Sequence, residues 1–201
     1  MRQRDNLISK LEKTGAVTVF IVWLLWLWRG PSLNFALLFA ATLISIYYLW
    51  FGFFIFHRIQ PFSLIQNHIR KEIAPFGITT SIMLGVLMSY GIIALLFGMF
   101  FYPGMQFMVG SSILLLVAFS AYITFYLLKT KRNKQLCRRY YLRIAILGVL
   151  LITLRMVSVE GRLSFFYRDY PGFVDAYLEY MGDPDNEQAL ERLRDERSRF
   201  R

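Results

Sequence analysis

The sequence predicts an all-α fold: a polytopic integral membrane protein with about five transmembrane helices, an interfacial amphipathic helix and a small C-terminal helical tail. Three observations predict it. Of the 201 residues, 56% are hydrophobic, and the excess lies in long runs. The runs 77–102 and 105–128 contain no acid, base or histidine, and each exceeds the ~20 residues that cross a bilayer as a helix. Basic residues flank the runs on alternate sides, as membrane topology requires.

Turns and short connections divide the apolar runs into spans. A turn at Pro103 and Gly104 joins the two central runs into a hairpin, and residues 29–32 join the first two spans in the same way. We divide the chain into a transmembrane helical domain, 1–159, and a polar and aromatic tail, 160–201. The predicted spans are 14–28, 33–56, 77–102, 105–128 and 142–159.

Two further segments have amphipathic patterns. Leu7, Ile8 and Leu11 recur at helical spacing before the first span, which is typical of a short helix at the membrane interface. Between the second and third spans, residues 61–74 place their isoleucines on one stripe and polar residues on the other faces. We predict an interfacial helix over 61–74, and a helix packed on a partner subunit is the alternative.

The tail changes composition from Glu160 onward. Asp183 and Pro184 predict the start of a last helix, with Asp183 as N-cap and Pro184 in its first turn. The aromatic stretch before it suits a surface that docks on a partner. The candidate docking residues are Phe165, Phe166, Tyr167, Tyr170, Phe173, Tyr177 and Tyr180.

Small and basic residues supply the other candidate sites. Small residues let helix backbones approach closely in lipid, and basic residues beside the spans can contact anionic headgroups. Arg155 is a candidate intramembrane charge, with snorkelling to the interface as the simpler interpretation. The candidate helix-packing residues are Gly85, Ser89, Gly91, Ala94, Gly98 and Gly110. The candidate headgroup contacts are Arg70, Lys71, Lys129, Lys131, Arg132, Arg138 and Arg139.

The charge distribution predicts a topology. With five spans, fourteen Lys and Arg fall on one side, in the N-terminus and the loops 57–76 and 129–143, whereas the short loops opposite carry only Arg29. This asymmetry places the N-terminus in the cytoplasm and the tail outside. A four-span alternative, with 142–159 on the surface, places the tail inside.

The sequence carries no catalytic signature. Between Glu12 and Glu160 the only acid is Glu72, in a loop, so we expect no intramembrane carboxylate for ion-coupled transport. The two histidines, His57 and His68, lack a second ligand at useful spacing. We therefore predict no catalytic residue, no metal and no cofactor, and we expect that the protein is not an enzyme.

These features favour a non-catalytic subunit, with a structural, assembly or scaffold role, of a larger inner-membrane complex. Its expected partners are membrane lipids and other membrane-protein subunits, and nucleic acid is not expected. The bacterial inner membrane is the first expectation and the mitochondrial inner membrane the second. A homo-oligomeric channel or passive transporter is the alternative. A lipid-handling enzyme is a third hypothesis, using interfacial residues that include Arg155, Glu160, Arg162 and Asp169.

Overall fold

The computed structural model describes residues 7–29, 33–57, 75–102, 104–130 and 134–199, and this part of the chain is all-helical. By their contacts the described residues form two units: the bundle unit, up to Phe20 and between Leu38 and Arg155, and the tail unit, between Ile21 and Leu37 and from Met156 onward. The helices are α1 Leu7–Arg29, α2 Asn34–His57, α3 Pro75–Met99, α4 Met105–Thr130, α5 Lys134–Met156, α6 Val159–Phe166, α7 Pro171–Gly182 and α8 Glu187–Ser198.

Long apolar helices dominate the structure. Among the described residues, three segments are long and apolar enough to cross a membrane: Asn34–Phe56, Gly77–Met99 and Met105–Lys129. The number becomes four if Cys137–Met156 and Val159–Phe166, which are separated by a break, form one span. This agrees with a helical membrane protein.

Helix directions alternate within the bundle unit. Gly15 faces Ile44 and Glu12 bonds to Tyr48, so α2 runs antiparallel to α1. Gly52 faces Gly85 and Ser45 bonds to Ser89, so α2 also runs antiparallel to α3. Tyr90 bonds to Ser111 between α3 and α4. Tyr141 and Arg155 of α5 bond to Thr124 and Gln106 of α4, in that order, so α5 runs antiparallel to α4. The starts of α1, α3 and α5 and the ends of α2 and α4 therefore share one end of the unit.

The backbones of α2 and α3 approach each other closely at two glycines. A Cβ added to Gly52 would stand 2.7 Å from Gly85 Cα, and one added to Gly85 would stand 2.6 Å from the Tyr48 carbonyl oxygen. Neither obstacle is a side chain that could turn away. Glycine at both positions therefore allows the two backbones to meet.

The junction between α3 and α4 contains two residues in the left-handed region. Phe101 has φ 54° and Gly104 has φ 78°, and glycine takes this conformation without steric cost. The Gly104 carbonyl accepts a hydrogen bond from Met108 N at 3.0 Å, which begins α4. Pro103, the other residue of the predicted turn, lies outside the described residues.

One of the two amphipathic expectations changes, and the other is not tested. The pattern at Leu7–Leu11 predicts a separate interfacial helix, but α1 is one helix from Leu7 to Arg29, which contains the predicted span 14–28. No proline stands between the polar start and the apolar run, and the single Gly15 at the junction is tolerated, so the helix continues. The predicted interfacial helix over 61–74 lies outside the described residues.

The helix that contains most of the fifth predicted span begins earlier than that span. The basic residues before Leu142 suggest a loop, but α5 starts at Lys134 and ends at Met156, not at Val159. Arg138, Arg139 and Arg143 are thus helical. Arginine and lysine have high helix propensity, so they do not end a helix. Basic residues mark where the hydrocarbon region is expected to end, and the helix continues beyond that point.

The tail unit has its own aromatic core. Tyr167 and Phe173 are buried, with ring centroids 4.6 Å apart, and Phe173 lies 6.0 Å from Tyr177. Burial raises the pKa of the Tyr177 hydroxyl above its ordinary value. Buried Ala189 and Leu193 form the apolar stripe of α8, and Arg192 of α8 pairs with Glu179 of α7 at 2.6 Å.

The predicted start of the last helix is wrong by a few residues. Asp183 ends α7, because its N–H donates to the Glu179 carbonyl at 3.2 Å. The N-cap of α8 is Asn186, whose side-chain oxygen accepts from the N–H groups of Gln188 and Ala189 at 3.0 and 3.3 Å. Asp and Asn are equally good caps, so composition alone does not choose between them.

We predict that Gly85→Ala lowers the free energy of unfolding by about 1–3 kcal/mol, because the added methyl meets backbone that must shift. Gly110→Ala is the matched control, since nothing lies within 4 Å of a Cβ there; it should be neutral or stabilise by up to ~1 kcal/mol. Thermal unfolding in detergent measures both. Equal effects at the two glycines would contradict the close approach.

We predict that Asn186→Ala destabilises α8 by about 1 kcal/mol through loss of its cap. Asp183→Ala should change stability by less than ~0.5 kcal/mol, because only its backbone takes part in ending α7. Circular dichroism melts of the two variants separate the two positions. A larger loss at Asp183 would restore the cap expected from the sequence.

Candidate functional site

A buried ion pair joins α1 to α5. Arg143 Nε and Nη2 donate to Glu12 Oε1 at 2.8 and 2.7 Å, and Nη2 also donates to Oε2 at 2.8 Å. The side chains of Arg143 and Glu12 are 19% and 11% exposed, so water reaches neither freely. The Tyr48 hydroxyl of α2 donates to Glu12 Oε1 at 3.0 Å. Three helices therefore meet at one carboxylate.

The cationic side of the pair lies on an aromatic ring. Arg143 Cζ stands 5.0 Å from the centroid of the Phe56 ring, a cation–π contact of about 1 kcal/mol. Arg143 Nη1 also donates to the Arg139 carbonyl at 3.4 Å, and Arg139 Nη1 donates to the Phe56 carbonyl at 3.3 Å. The end of α2 is thus held against α5 by two arginines.

Glu12 is the anchor of α1. Between Lys10 and Leu25 it is the one buried residue, whereas Val17, Phe20 and Ile21 are at least half exposed. An apolar side chain on this helix can exchange protein for lipid at little cost, but a carboxylate cannot. The ion pair therefore fixes where α1 sits in the bundle unit.

A hydroxyl cluster lies beside the ion pair. The Tyr140 hydroxyl is 2.6 Å from Ser81 Oγ and 3.4 Å from Thr80 Oγ1, and all three residues are fully buried. The Tyr140 ring packs edge-on against Phe56 at 5.2 Å. This cluster joins α3 to α5 on the same aromatic ring that supports Arg143.

Other hydroxyls pair between neighbouring helices. Ser45 Oγ lies 2.8 Å from Ser89 Oγ and donates to the Ser89 carbonyl at 3.1 Å. The Tyr90 hydroxyl lies 2.7 Å from Ser111 Oγ, and Thr124 Oγ1 lies 2.6 Å from the Tyr141 hydroxyl. In lipid such bonds each contribute about 0.6 kcal/mol.

Ser112 is the exception among these hydroxyls. Its Oγ is buried and has no hydrogen-bond partner within the described part of the chain. A Cβ built on Gly91 would stand 3.2 Å from this oxygen and 2.5 Å from Leu147 Cδ2. The Ser112 hydroxyl is thus enclosed by close packing around Gly91. Burying a hydroxyl without a hydrogen bond lowers the free energy of unfolding.

The predicted helix-packing residues differ in their surroundings. Gly85, Ser89, Gly91, Ala94 and Gly98 are buried on α3. Gly85 and Ser89 face α2, and Gly91 and Gly98 face Leu147 and Leu154 of α5. Gly110 faces open space.

The predicted headgroup contacts are only partly described. Lys129 and Arg138 are exposed. Arg139 of α5 is half-buried, and its side chain contacts the end of α2. Arg70, Lys71, Lys131 and Arg132 lie outside the described residues. Arg155 is exposed and donates to Gln106 Oε1 at 3.1 Å, at the start of α4.

The aromatic residues of the tail unit divide into two groups. Tyr167 and Phe173 belong to its core, and Phe166, Tyr177 and Tyr180 are partly buried. Phe165 is 58% exposed and Tyr170 is 36% exposed. Docking on a partner stays a prediction, and Phe165 and Tyr170 are the residues with surface available for it.

The predicted absences concern metals and catalysis. Within the described ranges, no group of three or more His, Cys, Asp or Glu side chains comes together. The His57 side chain and all of His68 lie outside the description, and Glu160 and Asp169 are exposed. The absence of a metal, cofactor or catalytic residue stays a prediction.

Sequence reasoning missed the ion pair. Glu12 and Arg143 are 131 positions apart, and each reads as a charge flanking an apolar run. The signal that could find them is their position: in the five-span topology, both lie on the same side and directly beside apolar segments. An acid directly beside an apolar run, among basic residues, is a counter-ion candidate.

Comparison with protein-family models, with curated proteins and with solved structures finds no match. The site is therefore interpreted from its own geometry.

We predict that Ser112→Ala is neutral or stabilises the protein by up to ~1 kcal/mol, because it removes a buried hydroxyl without a partner. Ser81→Ala, the same change on α3, should destabilise by about 0.5–1.5 kcal/mol, because it removes the bond to Tyr140. Thermal unfolding in one detergent compares them. A larger loss for Ser112→Ala would indicate a partner for that hydroxyl.

Proposed function

We propose that this protein is a non-catalytic integral membrane subunit, with a scaffold role, of a larger inner-membrane complex. The observation that carries the proposal is the use of the buried carboxylate. Glu12 receives three hydrogen bonds from Arg143 and one from Tyr48. Each of these four bonds comes from a side chain on a neighbouring helix, so the carboxylate holds helices together.

The hydroxyl groups of the bundle unit support the same interpretation. Ser45 with Ser89, Tyr90 with Ser111, and Tyr140 with Ser81 each form a bond between two helices. A pore needs polar groups that face a water path, and an enzyme needs groups that face a substrate. Here the polar groups bond to one another, which favours a role in holding the helices together.

We propose a topology of five spans with the N-terminus in the cytoplasm. The alternating directions of α1 to α5 support it, as does the gathering of basic residues at one end. Lys10 and Lys13 lie near the start of α1, Lys129 at the end of α4, and Arg138 near the start of α5. Positive charge concentrated at one end is typical of the cytoplasmic side. The tail then lies outside.

The tail unit is the proposed contact with other subunits. Its core already contains Tyr167 and Phe173, so it presents a formed surface and does not need to order on binding. Phe165 and Tyr170 lie on that surface, and exposed aromatics are frequent anchors in protein interfaces. Partners with an apolar groove on the outer side of the membrane fit this surface.

The decisive measurement is the mass and composition of the particle extracted in mild detergent. We expect the chain in a particle with several different proteins. Phe165→Ala/Tyr170→Ala should release them, because it removes exposed aromatic area, while Phe107→Ala should retain them. Phe107 is 75% exposed in the apolar helix α4, where lipid is the expected neighbour, so it controls for the loss of an exposed ring.

Two outcomes contradict the proposal. A monomer would exclude a stable complex. A homo-oligomer without other proteins would favour the channel, and flux through liposomes would then test that alternative. Circular dichroism of the double variant verifies that the tail unit stays folded, so that a released partner reflects the lost surface.

A further inference from the structure

The helix α5 is an unfavourable membrane span when taken alone. It is not among the three described segments that pass by length and composition. Its first half carries Arg138, Arg139 and Arg143, and Arg143 directly precedes the apolar segment 144–154. With a rise of 1.5 Å per residue, Arg143 lies about 13 Å along α5 from Lys134. Its side chain is only 19% exposed, so a guanidinium is largely buried at the edge of the apolar segment.

A largely buried guanidinium requires a partner, because arginine does not lose its proton in proteins. Glu12 supplies one with bidentate geometry. Between residues 6 and 159 the only other acid in the sequence is Glu72. The chain thus provides one acid on α1 for one largely buried arginine on α5.

We infer that Glu12 is the internal counter-ion that allows α5 to span the membrane, so that the orientation of the last span depends on the first helix. The inference rests on the five-span topology proposed above. It assigns to α1 a role in the insertion of a helix more than a hundred residues later. Tyr48 and the Phe56 ring complete the polar and aromatic surroundings that receive the arginine.

The dependence is asymmetric. A glutamate that has lost its arginine can be neutralised by a proton, whereas an arginine that has lost its glutamate stays charged. Removing Glu12 should therefore disturb α5 more than removing Arg143. Removing both should restore insertion, because neither charge of the pair is left to bury.

The experiment measures the side of the C-terminus in the full-length chain, with a compartment-sensitive reporter fused after Arg201. The readout is the ratio of outside to inside C-termini. We expect that most C-termini of the native chain lie outside. Glu12→Gln should lower the ratio about tenfold, and Glu12→Gln/Arg143→Gln should bring it back to within about twofold of the native ratio. The charge swap Glu12→Arg/Arg143→Glu should recover as well. Arg138→Gln, which removes an exposed charge on the same helix, is the control and should leave the ratio unchanged.

Each outcome is decisive. An unchanged ratio for Glu12→Gln overturns the inference, and so does a double neutral variant as low as Glu12→Gln, because that result would indicate lost packing at residue 12. A native chain with its C-terminus inside overturns both the five-span topology and the inference. Membership of a complex is tested separately, by the mass of the extracted particle.

Discussion

The ion pair between Glu12 and Arg143 determines how the bundle unit is put together. In a bilayer, apolar surfaces of neighbouring helices gain little by leaving lipid, so position must come from close packing and polar contacts. Breaking a buried pair by removing one partner typically costs about 3–5 kcal/mol. No single hydroxyl contact in the unit approaches that value. The placement of α1 therefore depends on electrostatics, and the placement of α3 depends mainly on fit.

The remaining contacts are arranged around the same point. Tyr48 reaches the carboxylate from α2, and its own backbone carbonyl meets Gly85 of α3. Phe56 lies between Arg143 and Tyr140, and Tyr140 reaches the hydroxyl of Ser81. Polar and aromatic contacts thus continue from α1 through α2 and α5 to α3. A change at one of these residues acts on several helices at once.

The helical membrane class follows from the sequence because apolar runs of this length have few other uses. The positions of α2, α3 and α4 follow as well, within a few residues. The start of α5 does not, because Arg138 and Arg143 are compatible with both a loop and a helix end. The role of Glu12 does not either, since pairing between residues 131 positions apart is set by three-dimensional packing. In the tail unit, Asp183 and Asn186 are equivalent caps on composition, and only the end of α7 distinguishes them.

The contact between Gly52 and Gly85 has a consequence for how such a sequence can change over time. Two backbones in contact leave no side chain whose size can be adjusted to compensate for a shift. Tyr48 stands four residues, or about one turn, before Gly52 on the same face of α2. A single inserted residue between them would rotate the hydroxyl by about 100° away from Glu12. The spacing between Tyr48 and Gly52 therefore cannot change without loss of one of the two contacts. Substitutions on the lipid-facing side of α2 are not limited in this way.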